Sequence, residues 1–263
     1  MASAADSWSN YNWRAKPDTA KASDQHAAFR AELERAGSIV ELGSERVVDD
    51  VDDIFAYDPT LLTDEGVIVL RPGKKGRGGE PAAVEKDFAG LGLPILGCIE
   101  DPGTAEGGDF YWLDERTLLA GCSFRTNTEG IEQIRGLLPN AGVISFDLPY
   151  VHGPSVCLHL MSSISPLDVD LAVAHLPSMP VRLVQLLQAR GISFIEVPDE
   201  EFDSMGANVL ALGPRIGLAL EGNTETRRRM EVAGVDVRTY EGSEISVKGD
   251  GGPTCLTRAL ERG

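Results

Sequence analysis

Cysteine, histidine and positive charge are all scarce in this chain. Its 263 residues include four cysteines, none in a C-x-x-C pair or at a tight metal-ligand spacing, which argues against both a zinc ribbon and a disulfide framework. Lys and Arg number 24 against 41 Asp and Glu, a formal net charge of −17. Phosphate recognition depends on clustered cations, which argues against nucleic acid and anionic membrane surfaces as partners. A field of this sign instead favours encounter with a small cation. Long apolar runs are missing too: nothing approaches the roughly 18 residues that span a bilayer. Residues 1–21 are polar and Trp-bearing, without the apolar stretch of a secretory signal. The expected location is the cytoplasm.

What the chain does have is repetition. Five times a helical run ends at a small residue or Gly and passes into a strand-forming run: Ala36-Gly37-Ser38-Ile39-Val40-Glu41-Leu42, Leu91-Gly92-Leu93-Pro94-Ile95-Leu96, Ala141-Gly142-Val143-Ile144-Ser145-Phe146, Arg190-Gly191-Ile192-Ser193-Phe194-Ile195 and Ala233-Gly234-Val235-Asp236-Val237-Arg238. The spacing of roughly 43 to 55 residues is that of repeat architectures. Helices are expected over 24–36, 81–90, 127–138, 181–191 and 223–234, two of them opened by Asn-Thr-Glu runs that supply an N-cap and an acidic first turn. Between them lie hairpin-like pairs: 54–56 returning into 67–70, 110–113 into 117–120, 158–164 through Ser165-Pro166-Leu167-Asp168 into 171–173, and 208–212 into 216–220. Each unit reads as two hairpin strands, a helix and a further strand. Four are complete and the fifth is short by a strand. Closing the array would need that strand from the N-terminus, where Asn12-Trp13-Arg14-Ala15 is a poor candidate. Residues 1–263 are read as a single domain, with 1–23 an N-terminal segment of no assigned element.

The loops after the strands carry the chemistry. They lead to Asp52 and Asp58, to Glu106-Gly107-Gly108-Asp109, to His159, to Asn208, and to Asp250-Gly251-Gly252-Pro253-Thr254-Cys255. A carboxylate, an imidazole and a thiol would converge if the repeats close around an axis. Cys98, Cys122 and Cys157 lie in apolar runs and read as inert, whereas the glycines before Cys255 leave its backbone free to approach a ligand closely. A lone His in an apolar strand is most often a core residue with a satisfied hydrogen bond. His159 is nevertheless the one His in a central-strand pattern, on the face shared by Cys157 and Met161, while His26 lies on a helix, His152 in a Gly-Pro loop and His175 before Leu176-Pro177. The basic, Gly-rich run from Arg71 to Glu80 matches no phosphate-loop pattern. It reads as a flexible lid whose Arg grips a carboxylate bidentately, with Arg125 as partner.

The Glu106-Gly107-Gly108-Asp109 turn, the Arg125-Thr126-Asn127 triplet, the His159-Leu160 strand and the late Gly251-Gly252-Pro253-Thr254-Cys255 run resemble the guanidine-modifying superfamily of arginine deiminases, amidinotransferases and dimethylarginine dimethylaminohydrolases. The resemblance extends from about Asp24 onward, and the compact length is similar to the dimethylaminohydrolase branch. It implies an α/β fold, a five-bladed pseudo-symmetric propeller of ββαβ units. It further implies Cys255 as nucleophile at the guanidinium carbon, His159 as general acid and base, and Glu106 holding the guanidinium or His159. Asp58 and Asp250 would flank the guanidinium, Asp52 the α-amino group, and Arg77 with Arg125 the α-carboxylate. Three positions depart from the family pattern: Tyr57 stands where the dimethylaminohydrolases have an acid, Met161 two residues after the histidine, and no apolar-Arg-x-Pro strand opens the chain.

The implied reaction is hydrolysis of a free Nω-methylated arginine through a thiouronium-like adduct on Cys255, with no metal or organic cofactor. Arginine or another guanidino compound is the alternative substrate, and a catalytically silent binding propeller the alternative class. The partner is a small cationic guanidino compound; oligomeric state is left open, a homodimer being one option.

Overall fold

A computed structural model describes residues 4–45, 47–151, 153, 154, 156 and 158–261. His152 and Cys157 lie outside the described residues. After a 3-10 turn at Ala4–Tyr11 comes helix α1 (Thr19–Arg35), capped by the Asp18 carboxylate on the Ala20 and Lys21 N–H groups. One arrangement then recurs four times: an antiparallel hairpin, a helix, and a third strand parallel to the second. The first has β1 (Thr60–Thr63), β2 (Gly66–Val69), α2 (Glu80–Gly90) and β3 (Ile95–Cys98). The second has β4 (Phe110–Asp114), β5 (Thr117–Cys122), α3 (Thr128–Leu137) and β6 (Gly142–Asp147). A four-residue helix α4 (Leu160–Ser163) leads into β7 (Ile164–Asp168), β8 (Leu171–Ala174), α5 (Val181–Ala189) and β9 (Ser193–Glu196). A second short helix, α6 (Asp199–Phe202), precedes β10 (Val209–Gly213), β11 (Ile216–Leu220), α7 (Thr224–Val232) and β12 (Asp236–Tyr240).

Three of the four hairpins shift register just before their turn, at Trp112/Asp114, Pro166/Asp168 and Ala211/Gly213. A bulge at the same point of successive repeats bends each hairpin alike. The middle strands β2, β5, β8 and β11 are the most buried, as expected of strands paired on both edges.

The chain divides into two compact units, Met1–Leu42 with Met161–Thr254, and Gly43–Leu160 with Cys255–Gly263. The second contains β1 to β6 around a core of Leu61, Ile68, Phe110, Leu118, Ile131 and Ile134. The first contains β7 to β12 around Leu167, Val173, Ile195, Val209, Met230 and Val235. Among the described residues no helix is long and apolar enough to cross a membrane.

Four expectations are corrected. Residues 39–42 form no strand: Ile39 is 92% exposed and has no ladder partner among the described residues. Strand propensity without a neighbouring strand leaves backbone groups to water. The first hairpin starts at Thr60, because Asp52–Ile54 winds into a 3-10 turn whose Asp52 N–H donates to the Asp50 carboxylate at 2.9 Å. Ser165-Pro166-Leu167-Asp168, expected as a turn, is the body of β7; that strand lies at its sheet edge, where a proline costs no ladder bond. His159 lies in no strand but directly before α4. A short apolar run such as the one around it does not separate strand from helix by periodicity.

Candidate active site

The site is built in the unit that spans Gly43–Leu160 and Cys255–Gly263. Its centre is the single 3-10 turn Gly107–Asp109, with Glu106 at the N-cap. Side chains three residues apart eclipse in a 3-10 turn, so Glu106 and Asp109 share a side, and both are fully buried. The two glycines between them are a steric requirement. A Cβ on Gly107 would lie 2.1 Å from the Tyr57 carbonyl oxygen, and one on Gly108 only 2.3 Å from His159 Nδ1. Neighbouring loops lock this turn. Asn127 caps α3 by accepting the Gly130 N–H at 2.8 Å and also takes the Thr104 N–H at 2.9 Å, while Thr126 Oγ1 accepts the Glu106 N–H at 3.0 Å.

The Glu106 carboxylate then gathers the other groups. Oε2 accepts from His159 Nε2 at 2.7 Å; Oε1 accepts the Gly73 N–H at 3.0 Å and Arg125 Nη1 at 3.1 Å. Asp58 joins from the other side: its carbonyl accepts the Gly107 N–H at 2.7 Å, and its Oδ1 is 3.8 Å from His159 Nδ1. Ligand atoms of Asp58, Glu106 and His159 all fall within 4.8 Å of one another.

Arg77 sits beside them, 2% exposed. It grips Glu80 with a two-pronged fork, Nε to Oε1 at 2.5 Å and Nη2 to Oε2 at 2.8 Å, and its Nη1 donates to Asp58 Oδ2 at 2.6 Å. Lys74 Nζ donates to Asp52 Oδ2 at 2.5 Å. Thus the basic loop, expected as a flexible lid, is pinned to the acidic turn by Lys74 and Arg77. Asp58 Oδ1, beside His159, is buried and has no hydrogen bond among the described residues, as is also true of Asp50 Oδ2 and Thr60 Oγ1 further from the imidazole.

Half-buried Cys255 enters through its backbone, its carbonyl accepting the Tyr57 N–H at 3.1 Å, one residue from Asp58. Arg258, one turn further, lays its guanidinium 3.5 Å over the Tyr57 ring and donates to the Tyr57 and Thr60 carbonyls. Asp250 belongs to the other unit, where it has a left-handed φ of 62° and pairs with Arg14 at 2.6 Å.

Of the residues expected from the sequence, Asp52, Asp58, Arg77, Glu106, Arg125, His159 and Cys255 lie in this unit; Lys74, Glu80 and Arg258, which complete its contacts, were not among them. An Arg and a Glu three apart at a helix start signalled the Arg77–Glu80 pair; Arg258 left no such mark.

The charge state follows from the geometry. Burial opposes ionisation of Glu106 most strongly. The His159 hydrogen bond and the charges of Arg125, His159 and Arg77 outweigh it and hold that carboxyl well below the usual range. Burial likewise works against the Arg77 cation, but Glu80 and Asp58 keep it charged and lift its pKa further. Asp109 goes the other way: burial pushes it up to about 6, against the pull of His159, Thr126, Ser123 and the Leu160 N–H. Burial also raises the thiols of Cys98 and Cys122, keeping both as weak nucleophiles.

A carboxylate pair with an imidazole can hold either a metal ion or a planar organic cation. Here Asp58 and Glu106 each already take an arginine, so a divalent ion among them would meet two guanidinium charges at close range. The donor set suits a flat cation offering several N–H groups.

Comparison with known proteins agrees. The arginine deiminase family profile matches residues 160–262. A dimethylarginine dimethylaminohydrolase of Pseudomonas aeruginosa is 31% identical over 246 residues, covering 92% of this chain and 89% of its own. A crystal structure of a dimethylarginine dimethylaminohydrolase adduct with S-methyl-L-thiocitrulline superposes with a TM-score of 0.76 at 28% identity, covering 92% of this chain and 89% of that one. The N-terminal domain of a cyanobacterial arginine dihydrolase shares the fold at 21% identity, with a TM-score of 0.82 over 94% of this chain and 88% of that one. With buried carboxylates, an imidazole and a late cysteine in place, and a relative of this identity along nearly its whole length, the chain belongs to the guanidine-modifying superfamily, among its hydrolases of amidine C–N bonds.

Proposed function

We propose that this chain hydrolyses the guanidinium of a free Nω-methylated arginine, converting Nω,Nω-dimethylarginine and water to citrulline and dimethylamine. The observation that carries the reading is the orphaned Asp58 Oδ1, a buried carboxylate oxygen beside His159 that an N–H of a substrate guanidinium would satisfy. A buried acceptor left unpaired costs about 1–3 kcal/mol, which ligand binding would recover.

In this reading Asp58 and Glu106 orient the guanidinium plane and Cys255 Sγ, as thiolate, attacks its carbon. The C–N bond to dimethylamine breaks as His159 delivers a proton to that nitrogen, leaving a thiouronium on Cys255. Water then gives one proton to His159 as its hydroxyl adds to the same carbon; the C–S bond breaks, restoring the thiolate, and the hydroxyl's remaining proton passes to solvent as citrulline is released. Glu106, held anionic, orients the imidazole and supports its charged form. Arg77, Arg125, Asp52 and Asp250 are assigned to the amino-acid end of the substrate and to the guanidinium rim. Arg77 would exchange its Asp58 contact while Glu80 keeps hold of its other edge.

Tyr57 favours a second substrate. Its ring, capped by Arg258, replaces the acid of the dimethylaminohydrolase pattern, so unmethylated arginine is the rival. A panel of dimethylarginine, arginine and agmatine with ureido-product detection separates them. Absence of ureido product from all three refutes both, and binding without turnover would mark a silent member. Cys255→Ser should abolish turnover and covalent labelling.

The single-domain, five-bladed architecture and a cytoplasmic location belong to the same reading. Four ββαβ units are accounted for, and the stretch around Cys255 would contribute the fifth.

A further inference from the structure

We propose that Asp109 is a positioning residue for His159, fixing the backbone that follows the imidazole while Glu106 fixes the ring. This rests on the assignment of His159 as acid and base. Asp109 Oδ1 accepts the Leu160 N–H at 3.0 Å. Asp109 Oδ2 accepts the Ser123 hydroxyl at 2.7 Å, and Ser123 Oγ in turn accepts the Arg125 and Thr126 N–H groups at 3.0 and 3.1 Å. One carboxylate thereby joins the segments that carry Glu106, Arg125 and His159. The 3-10 turn explains why two acids serve one histidine: residues 106 and 109 eclipse, so one reaches Nε2 and the other the peptide N–H directly after the ring. Gly108 between them lets that backbone lie against the imidazole. Asp109 is also close enough for its charge and that of His159 to act on each other. The tie therefore sets both the place of the imidazole and its electrostatics. Proton transfer needs hydrogen-bond reach, whereas binding of the guanidinium rests on Asp58 and Glu106, so the loss should fall on kcat.

The test is Asp109→Asn, with kcat and KM measured separately and the His159 ring followed by NMR across pH. Glu106 and Asp58, which face the same imidazole, and Arg77 and Arg125, which hold those two carboxylates, are unchanged. The expected result is a kcat lower by about tenfold or more with KM within about threefold, and a His159 titration midpoint lower by about half a pH unit or more. Gly121→Ala is the second variant. Its Cβ would lie 2.8 Å from Asp109 Oδ1 and 3.1 Å from Leu160 Cβ, wedging the same tie without removing a charge; it should reproduce part of the kcat loss. A kcat within twofold of wild type in Asp109→Asn, or parallel rises in KM, overturns the proposal. Should that variant not fold, an unchanged kcat in Gly121→Ala overturns it equally. If the wild type turns over no guanidino compound, the functional reading fails by itself, and the His159 midpoint still decides whether Asp109 acts on the imidazole.

Discussion

Gly108→Ala tests the geometry with one methyl group. The new Cβ would sit 2.3 Å from His159 Nδ1, 2.6 Å from Cγ and 3.0 Å from Cβ. An ordinary contact begins near 3.4 Å, so the ring must retreat by about 1 Å. The retreat pulls directly on the 2.7 Å bond from Nε2 to Glu106. A misplacement of that size in a catalytic group lowers turnover by about 100-fold. The fold should survive, because Gly108 does not have positive φ and an added Cβ trims the freedom of the unfolded chain by about 0.4–1 kcal/mol. Gly136→Ala is the control: in α3 its Cβ would meet nothing within 4 Å, so it should stabilise by roughly 0.5–1 kcal/mol with turnover intact. The assay is steady-state kinetics on the guanidino substrate beside a thermal melt. A Gly108→Ala enzyme that melts normally and keeps kcat within twofold would refute the placement of His159 against this turn, or its part in the chemistry.

Other expectations follow from the same contacts. Glu106→Gln keeps the shape but removes the charge that supports the imidazolium, and kcat should fall by about 100-fold or more, read by single-turnover kinetics. Glu80→Gln leaves Arg77 buried with half its fork, and breaking such a pair costs about 3–5 kcal/mol. Denaturant melts would show it, and a loss below about 1 kcal/mol would refute the burial of the pair. Stability should also depend on pH through Asp109. Its carboxyl is raised to about 6 in the folded protein from 3.8, so the folded state binds the extra proton between those values. That contribution is complete below about pH 4 and is lost as pH rises through 6, a change on the order of 3 kcal/mol. Urea titrations of wild type and Asp109→Asn across pH 4 to 7 check it: the variant should lack this fall. Glu106 has the opposite sign, with stability present above its unfolded value and lost in strong acid.

The repeat was legible because local chemistry fixes each part of it. Alternating and β-branched runs make the strands, Asn127 caps α3, and glycines such as Gly191 and Gly234, with φ of 80° and 83°, end helices as only that residue does without strain. The boundaries that failed were those where a partner decides: Ile39 has strand propensity and no strand beside it, and Pro166 lies in a strand because that strand is an edge. In the same way the sequence by itself determined which residue types are on offer, and Glu106, His159 and Cys255 are types suited to one reaction. Only the tertiary structure decided how they are held. Arg77 on Glu80 and Asp58, Arg258 on Tyr57, and Asp109 on the Leu160 N–H join positions from 3 to 201 residues apart. Such pairs form through burial, which strengthens charge and hydrogen bonding at close range, and burial is a property of the folded chain rather than of any segment of it.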